Sequence, residues 1–174
     1  MDQQESVRDL LKETFENVNN WLNFAEAKNA AILAFAIALL AAVGSMEYFT
    51  SQRIGFILHV LGTSICMICS LISFLPNQGK DKKREDGCSE ADNLIFYQDI
   101  AKYDPKGYLK AVYKRYRGET IDERQMRKIE LDFATEITVN AAITVRKYAW
   151  FKRAMWIQIL DMCLLVVLAV IPVM

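Results

Sequence analysis

Few residues in this 174-residue sequence have the types and spacing that chemistry requires. It contains no glycine-rich phosphate loop, no H-E-x-x-H and no nucleophile elbow. Cys66 and Cys69 stand at C-x-x-C spacing, but no second pair or clustered histidine accompanies them. Thiols inside an apolar run behave as small apolar groups. His59, the single histidine, shares that run and reads as a packed or water-facing polar side chain rather than a ligand. From these residues the sequence is read as a non-enzyme, with no catalytic residue, no metal site and no cofactor.

Two other sets of residues are expected to matter. Asp161 lies about two turns inside an apolar run. A carboxylate at that depth faces a bundle interior or a water path, and then lines a pore or an intramembrane site. The competing reading leaves it hydrated near the interface, or simply protonated. The second set is Lys28, Asn93, Tyr97, Asn140, Arg146 and Lys147. Lys28, Arg146 and Lys147 suit a phosphate, arginine as a fork and lysine as a point charge. Asn93 and Asn140 offer the paired donor and acceptor of a base edge, and Tyr97, Tyr148 and Phe24 offer stacking faces. Ordinary membrane physics also explains this set, because Lys, Arg, Tyr and Trp gather where helices meet headgroups.

The elements that would position these residues follow from how charge and hydrophobicity are sorted. Residues 30–49, 54–75 and 154–174 form three apolar blocks, each reaching the ~20 residues that a helix needs to cross a ~30 Å hydrocarbon core. Only residues 50–53 separate the first two blocks, which predicts a hairpin with a tight turn. Residues 3–28 carry apolar side chains at helical spacing and run into the first block without Gly or Pro. Residues 77–89 read as a polar linker, 90–103 as a helix, and 105–117 as an amphipathic helix opened by Pro105 and closed by Gly118. Thr120 and Glu123 fit a capping box for one helix running from residue 120 to 174, with Ile129, Phe133 and Ile137 on its apolar face. The small residues Ala30, Ala34, Ala38 and Ala42 mark either an oligomerisation seam or the packing of the hairpin.

The expected fold is therefore an all-α membrane protein. Three transmembrane helices carry a cytoplasmic helical bundle that is continuous with the first and third spans. Its parts are an N-terminal helix at 1–28, a transmembrane hairpin at 29–76, a cytoplasmic helical region at 77–153 and a third transmembrane helix at 154–174. Residues 77–153 carry 17 Lys and Arg, the first 28 residues carry three, and the hairpin turn carries only Arg53. Segments rich in Lys and Arg stay in the cytoplasm, so the N-terminus is expected inside and the C-terminus outside. The Tyr/Lys-rich stretch 102–117 is read as an amphipathic helix on lipid or on the bundle, not as a nucleic-acid surface.

Three strings in order carry a resemblance: FAEAKNA from Phe24, NLIFYQDIAKY from Asn93, and NAAITVRKY from Asn140 followed by Phe151 and Lys152. Over about residues 15–160 the sequence resembles the transmembrane effector family of Pycsar, a bacterial anti-phage system. The resemblance implies an effector of the bacterial inner membrane that impairs membrane integrity on activation and causes abortive infection. The implied activating ligand is a cyclic pyrimidine mononucleotide made by a companion cyclase. With no separate cyclic-nucleotide-binding fold in the sequence, the helical domain or a partner must read it. The residues set out above become the expected site: phosphate at Lys28, Arg146 and Lys147, base at Asn93, Tyr97 or Asn140. The implied partners are the lipid bilayer, the cyclic nucleotide and further copies of the chain. The alternatives are a membrane scaffold that docks a partner without forming a pore, and a small channel.

Overall fold

The computed structural model describes residues 3–76 and 87–170. The fold is all-α, with no strand among the described residues. In order, the helices are α1 (Gln3–Gly44), α2 (Glu47–Ser51), α3 (Arg53–Phe74), α4 (Tyr97–Ile100), α5 (Pro105–Arg117) and α6 (Lys128–Val170), with a 3₁₀ turn at Glu123–Gln125 before the last. Among the described residues, three helices are long and apolar enough to cross a membrane: Val7–Gly44, Arg53–Phe74 and Lys128–Val170. The chain divides into two compact units, Met1–Phe24 with Asn77–Arg146, and Ala25–Pro76 with Lys147–Met174.

The first unit buries apolar side chains in the manner of a water-soluble bundle. Val7, Leu11 and Val18 of α1 are buried, as are Leu109 and Val112 of α5 and Ala134, Ile137 and Ala141 of α6. These spacings of three, four and seven form one stripe on each helix. Phe15 and Phe133 meet edge to face at 5.9 Å, and the Tyr108 hydroxyl donates to the Leu94 carbonyl at 2.8 Å. Asp104 caps α5 by accepting from the Lys106 and Gly107 amides. Gly118 closes it at φ 70°, a left-handed position suited to a residue without Cβ.

Three local expectations are corrected in this unit. A helix over 90–103 is reduced to the four residues of α4, because side chains take the backbone groups that a helix would use. Asp92 accepts from the Ser89 amide, Asn93 from the Ile95 amide, and Asp99 from the Asn93 amide. The last helix begins at Lys128 rather than 120. The capping box that forms is Asp122 with Gln125, on the 3₁₀ turn, while Glu123 pairs with Lys106 at 2.5 Å. Finally, Ile129 is exposed and its neighbour Glu130 is buried, since the Tyr113 hydroxyl donates to Glu130 at 3.1 Å and turns that position inward.

The second unit is built the other way round. The inner face of α3 is Gly55, His59, Thr63, Cys66, Cys69, Ser70 and Ser73, all small or polar. Its outer face is aliphatic: Ile54, Ile57, Leu58, Leu61, Ile65, Ile68 and Leu71 are each more than half exposed or close to it. Phe35 and Ile37 of α1, and Trp156, Leu160, Val166 and Val170 of α6, also point outward. Water would penalise such a surface, whereas hydrocarbon requires it. Ile32, Ala36, Cys66, Cys69 and Ala154 form the small apolar centre.

The hairpin differs from the expected tight turn. α1 ends at Gly44, where the Ser45 hydroxyl donates to the Ala42 carbonyl, and α2 fills the connection to α3. Ala30, Ala34, Ala38 and Ala42 face outward, so they do not pack the hairpin; Ile32 and Ala36 do. The far end expected for the last helix, 171–174, and most of the linker 77–89 lie outside the described residues.

Candidate functional site

α3 and α6 run antiparallel in a register that repeats every seven residues on both. Ser73 meets Lys147, Cys66 meets Ala154, His59 meets Asp161 and Gln52 meets Leu168. A seven-residue repeat keeps one face of each helix against the other. It also fixes the depth of the acidic residue. Asp161 stands 14 residues beyond Lys147, about 21 Å along the helix axis, and 9 residues, about 14 Å, before Val170. With 5% of its surface exposed, it is buried within the second unit.

His59 Nδ1 lies 2.8 Å from Asp161 Oδ1 and 3.0 Å from Oδ2. The Thr63 hydroxyl and the Gln158 amide nitrogen both donate to Oδ2, at 3.2 and 3.1 Å. Pairing a polar side chain with another is how a bilayer tolerates such groups. The network is incompletely satisfied: His59 Nε2 and Gln158 Oε1 are buried without a partner in the described chain. Such groups carry a penalty that a different arrangement of the helices, or water, would relieve.

The other expected residues divide between the units. In the first unit, Asn93 is occupied by turn bonds to Ile95 and Asp99. Tyr97 is buried against Trp21, ring to ring at 5.4 Å, and beside Phe96 at 4.8 Å. Asn140 donates to Asn19 at 2.9 Å, and Arg146 is half-buried at the end of this unit. In the second unit, Lys147 is buried, donating to the Ser73 carbonyl at 3.1 Å and pairing with Glu26 at 3.1 Å. Lys28 sits 5.0 Å from the Tyr148 ring centre and 5.9 Å from that of Phe151. Asn29, completely buried, donates to the Ala25 and Lys147 carbonyls and ties α1 to α6.

A polar clamp holds the turn before α4. Asp92 accepts from Lys102 at 2.6 Å, from the Ser89 amide at 2.7 Å and from the Tyr103 hydroxyl at 3.0 Å. Arg115 donates to the Ser89 and Asp92 carbonyls. The Lys102 ammonium, followed by the Ser89 amide, pulls the Asp92 carboxyl down to about 2. In return Asp92, followed by Asp99, pushes the Lys102 ammonium up.

The family model for the Pycsar effector protein domain matches residues 10–173. The chain belongs to the Pycsar effector family. No curated protein and no solved structure matches it. Pycsar effectors of this kind are transmembrane effectors rather than enzymes, and membership places the chain in a membrane with an anti-phage role. In this Pycsar effector the partner of Asp161 is a residue that the sequence reading set aside. His59 lies 102 positions away and meets Asp161 only once the register of α3 and α6 is known. The local signals were the spacing of His59 with Thr63 and of Gln158 with Asp161, which place each pair on one helix face.

Proposed function

We propose that this Pycsar effector impairs the bacterial inner membrane when a cyclic pyrimidine mononucleotide, made by a companion cyclase, activates it, and that abortive infection follows. The observation that carries this reading is the buried His59–Asp161–Thr63–Gln158 network between α3 and α6, where the inner face of α3 is otherwise small. At rest the network joins α3 to α6. Activation is proposed to separate α3 from α6, exposing a polar track through which water and ions leak. Lys and Arg counts favour a cytoplasmic N-terminus and an outer C-terminus. The outward stripe of Ala30, Ala34, Ala38 and Ala42 supports assembly of several copies.

The residues proposed to read the nucleotide are those of the first unit, Asn93, Tyr97, Asn140 and Arg146. A ligand shifts such an equilibrium only by its differential affinity for the two arrangements. α1 and α6 each contribute to both units, so each is a route by which binding is felt in the spans. The test has two arms. Calorimetry of the purified protein with cyclic UMP and cyclic CMP should give saturable heat that Arg146→Ala weakens; no heat at millimolar ligand removes direct sensing. Cells expressing the effector with its cyclase should depolarise on infection, and Asp161→Asn should suppress this without loss of membrane insertion. Unchanged depolarisation removes Asp161 from the mechanism.

A further inference from the structure

Between α1 and α6, on the outer surface of the second unit, runs a groove of about 520 Å³. Ile32, Phe35, Met155, Ile159 and Met162 line its walls, and Lys28 stands at one end. The volume is that of an ordinary small-molecule site, but the shape is long. On α6 it extends from Phe151 to Cys163, about 18 Å at the helical rise. One leaflet of a ~30 Å hydrocarbon core is about 15 Å deep. The groove therefore spans one leaflet, opens toward lipid, and ends in a cation at the level where headgroups begin.

Lys28 is suited to that position. The rings of Tyr148 and Phe151 hold its ammonium, and no carboxylate lies within ion-pair distance among the described residues. Its neighbour across the unit, Lys147, is by contrast committed to Glu26 and Ser73. We propose that the groove seats one acyl chain of an anionic phospholipid, with the headgroup phosphate against Lys28. The aliphatic and thioether walls take the chain, and the ring-held ammonium selects the charge of the headgroup. This rests on the membrane location alone and not on nucleotide sensing.

The test is native mass spectrometry of the full chain released from detergent after titration with phosphatidylglycerol or with phosphatidylcholine of the same acyl chains. One retained phosphatidylglycerol is expected, with about a fivefold preference over phosphatidylcholine from a single headgroup lysine. Lys28→Gln should bring the preference to near unity while leaving chain binding intact. Ala31→Trp and Met162→Trp, both lipid-facing and filling the groove, should each displace the lipid. Equal retention of the two headgroups by the native chain, or undiminished retention by both tryptophan variants, would overturn the proposal. So would an oxidant-driven Cys163–Cys163 crosslink between copies of a Cys88→Ser protein in phosphatidylglycerol vesicles, since a second copy would then occupy the groove.

Discussion

Replacing His59 by leucine should destabilise the second unit, and replacing Asp161 at the same time should largely restore it. In the native arrangement Oδ1 of Asp161 has one donor, His59, whereas Thr63 and Gln158 both serve Oδ2. His59→Leu therefore strips one oxygen of a carboxylate that is 5% exposed. In water-soluble proteins, removing one member of a buried pair costs roughly 3–5 kcal/mol, whereas replacing both by apolar groups is close to neutral. In lipid the measured couplings are smaller, about 0.6 kcal/mol on average and about 1.7 at most, because the unfolded helix also finds partners. This pair combines two short contacts with mutual neutralisation, so it belongs at the top of that range. A coupling of about 1.7 kcal/mol is expected. The assay is a double-mutant cycle over His59→Leu and Asp161→Leu, read by equilibrium unfolding in mixed micelles. The double variant should lie within about 1 kcal/mol of the native protein. Additive single effects, with coupling below about 0.5 kcal/mol, would refute the reasoning.

Other outcomes follow from the first unit and from the ends of the spans. Asp92 is held down to about 2, against an ordinary value of 3.8. Its stabilisation is therefore fully present above about pH 4 and is lost as pH falls through about 2. Acid titration of near-ultraviolet circular dichroism should show this component, and Asp92→Asn should abolish it. Tyr113→Phe leaves buried Glu130 without its hydroxyl donor and should cost about 1–3 kcal/mol, with Glu130→Leu in the same chain recovering most of it in thermal unfolding. Gly118→Ala meets no atom within 4 Å and should cost about 1 kcal/mol from backbone conformation alone, lowering the melting temperature without changing helix content. Lys147→Met frees the Ser73 carbonyl and Glu26, and should lower resistance to detergent unfolding by about 1–2 kcal/mol.

Much of this fold could be read from residues, and the reasons differ by element. The bounds of α5 were legible because Pro105 and Gly118 each satisfy a backbone demand at a fixed position. The spans were legible because lipid forces length and composition together. Residues 90–103 misled because Leu94, Tyr97 and Ile100 are buried at helix-like spacing while Asp92, Asn93 and Asp99 hold the backbone in turns. The partner of Asp161 was beyond reach for another reason: pairing depends on how two helices are aligned, and no local pattern encodes that alignment. The inward polarity of α3 was present in plain sight, since His59, Thr63, Cys66, Ser70 and Ser73 recur at intervals of three and four. It becomes informative only when the apolar residues are taken as the outside.

α3 carries Arg53 at one end and Phe74 at the other, and it is also fastened to α6. At one end the Tyr48 hydroxyl and the Gln52 amide grip the Leu168 carbonyl, and at the other Lys147 grips the Ser73 carbonyl. Sliding one rod along the other would break the fastenings at both ends together and carry His59 past Asp161. Splaying from a single end breaks only the fastenings at that end. A piston stroke is thus a less favourable route for the proposed separation of α3 from α6 than splaying, and a crosslink that holds the splaying end shut should silence it.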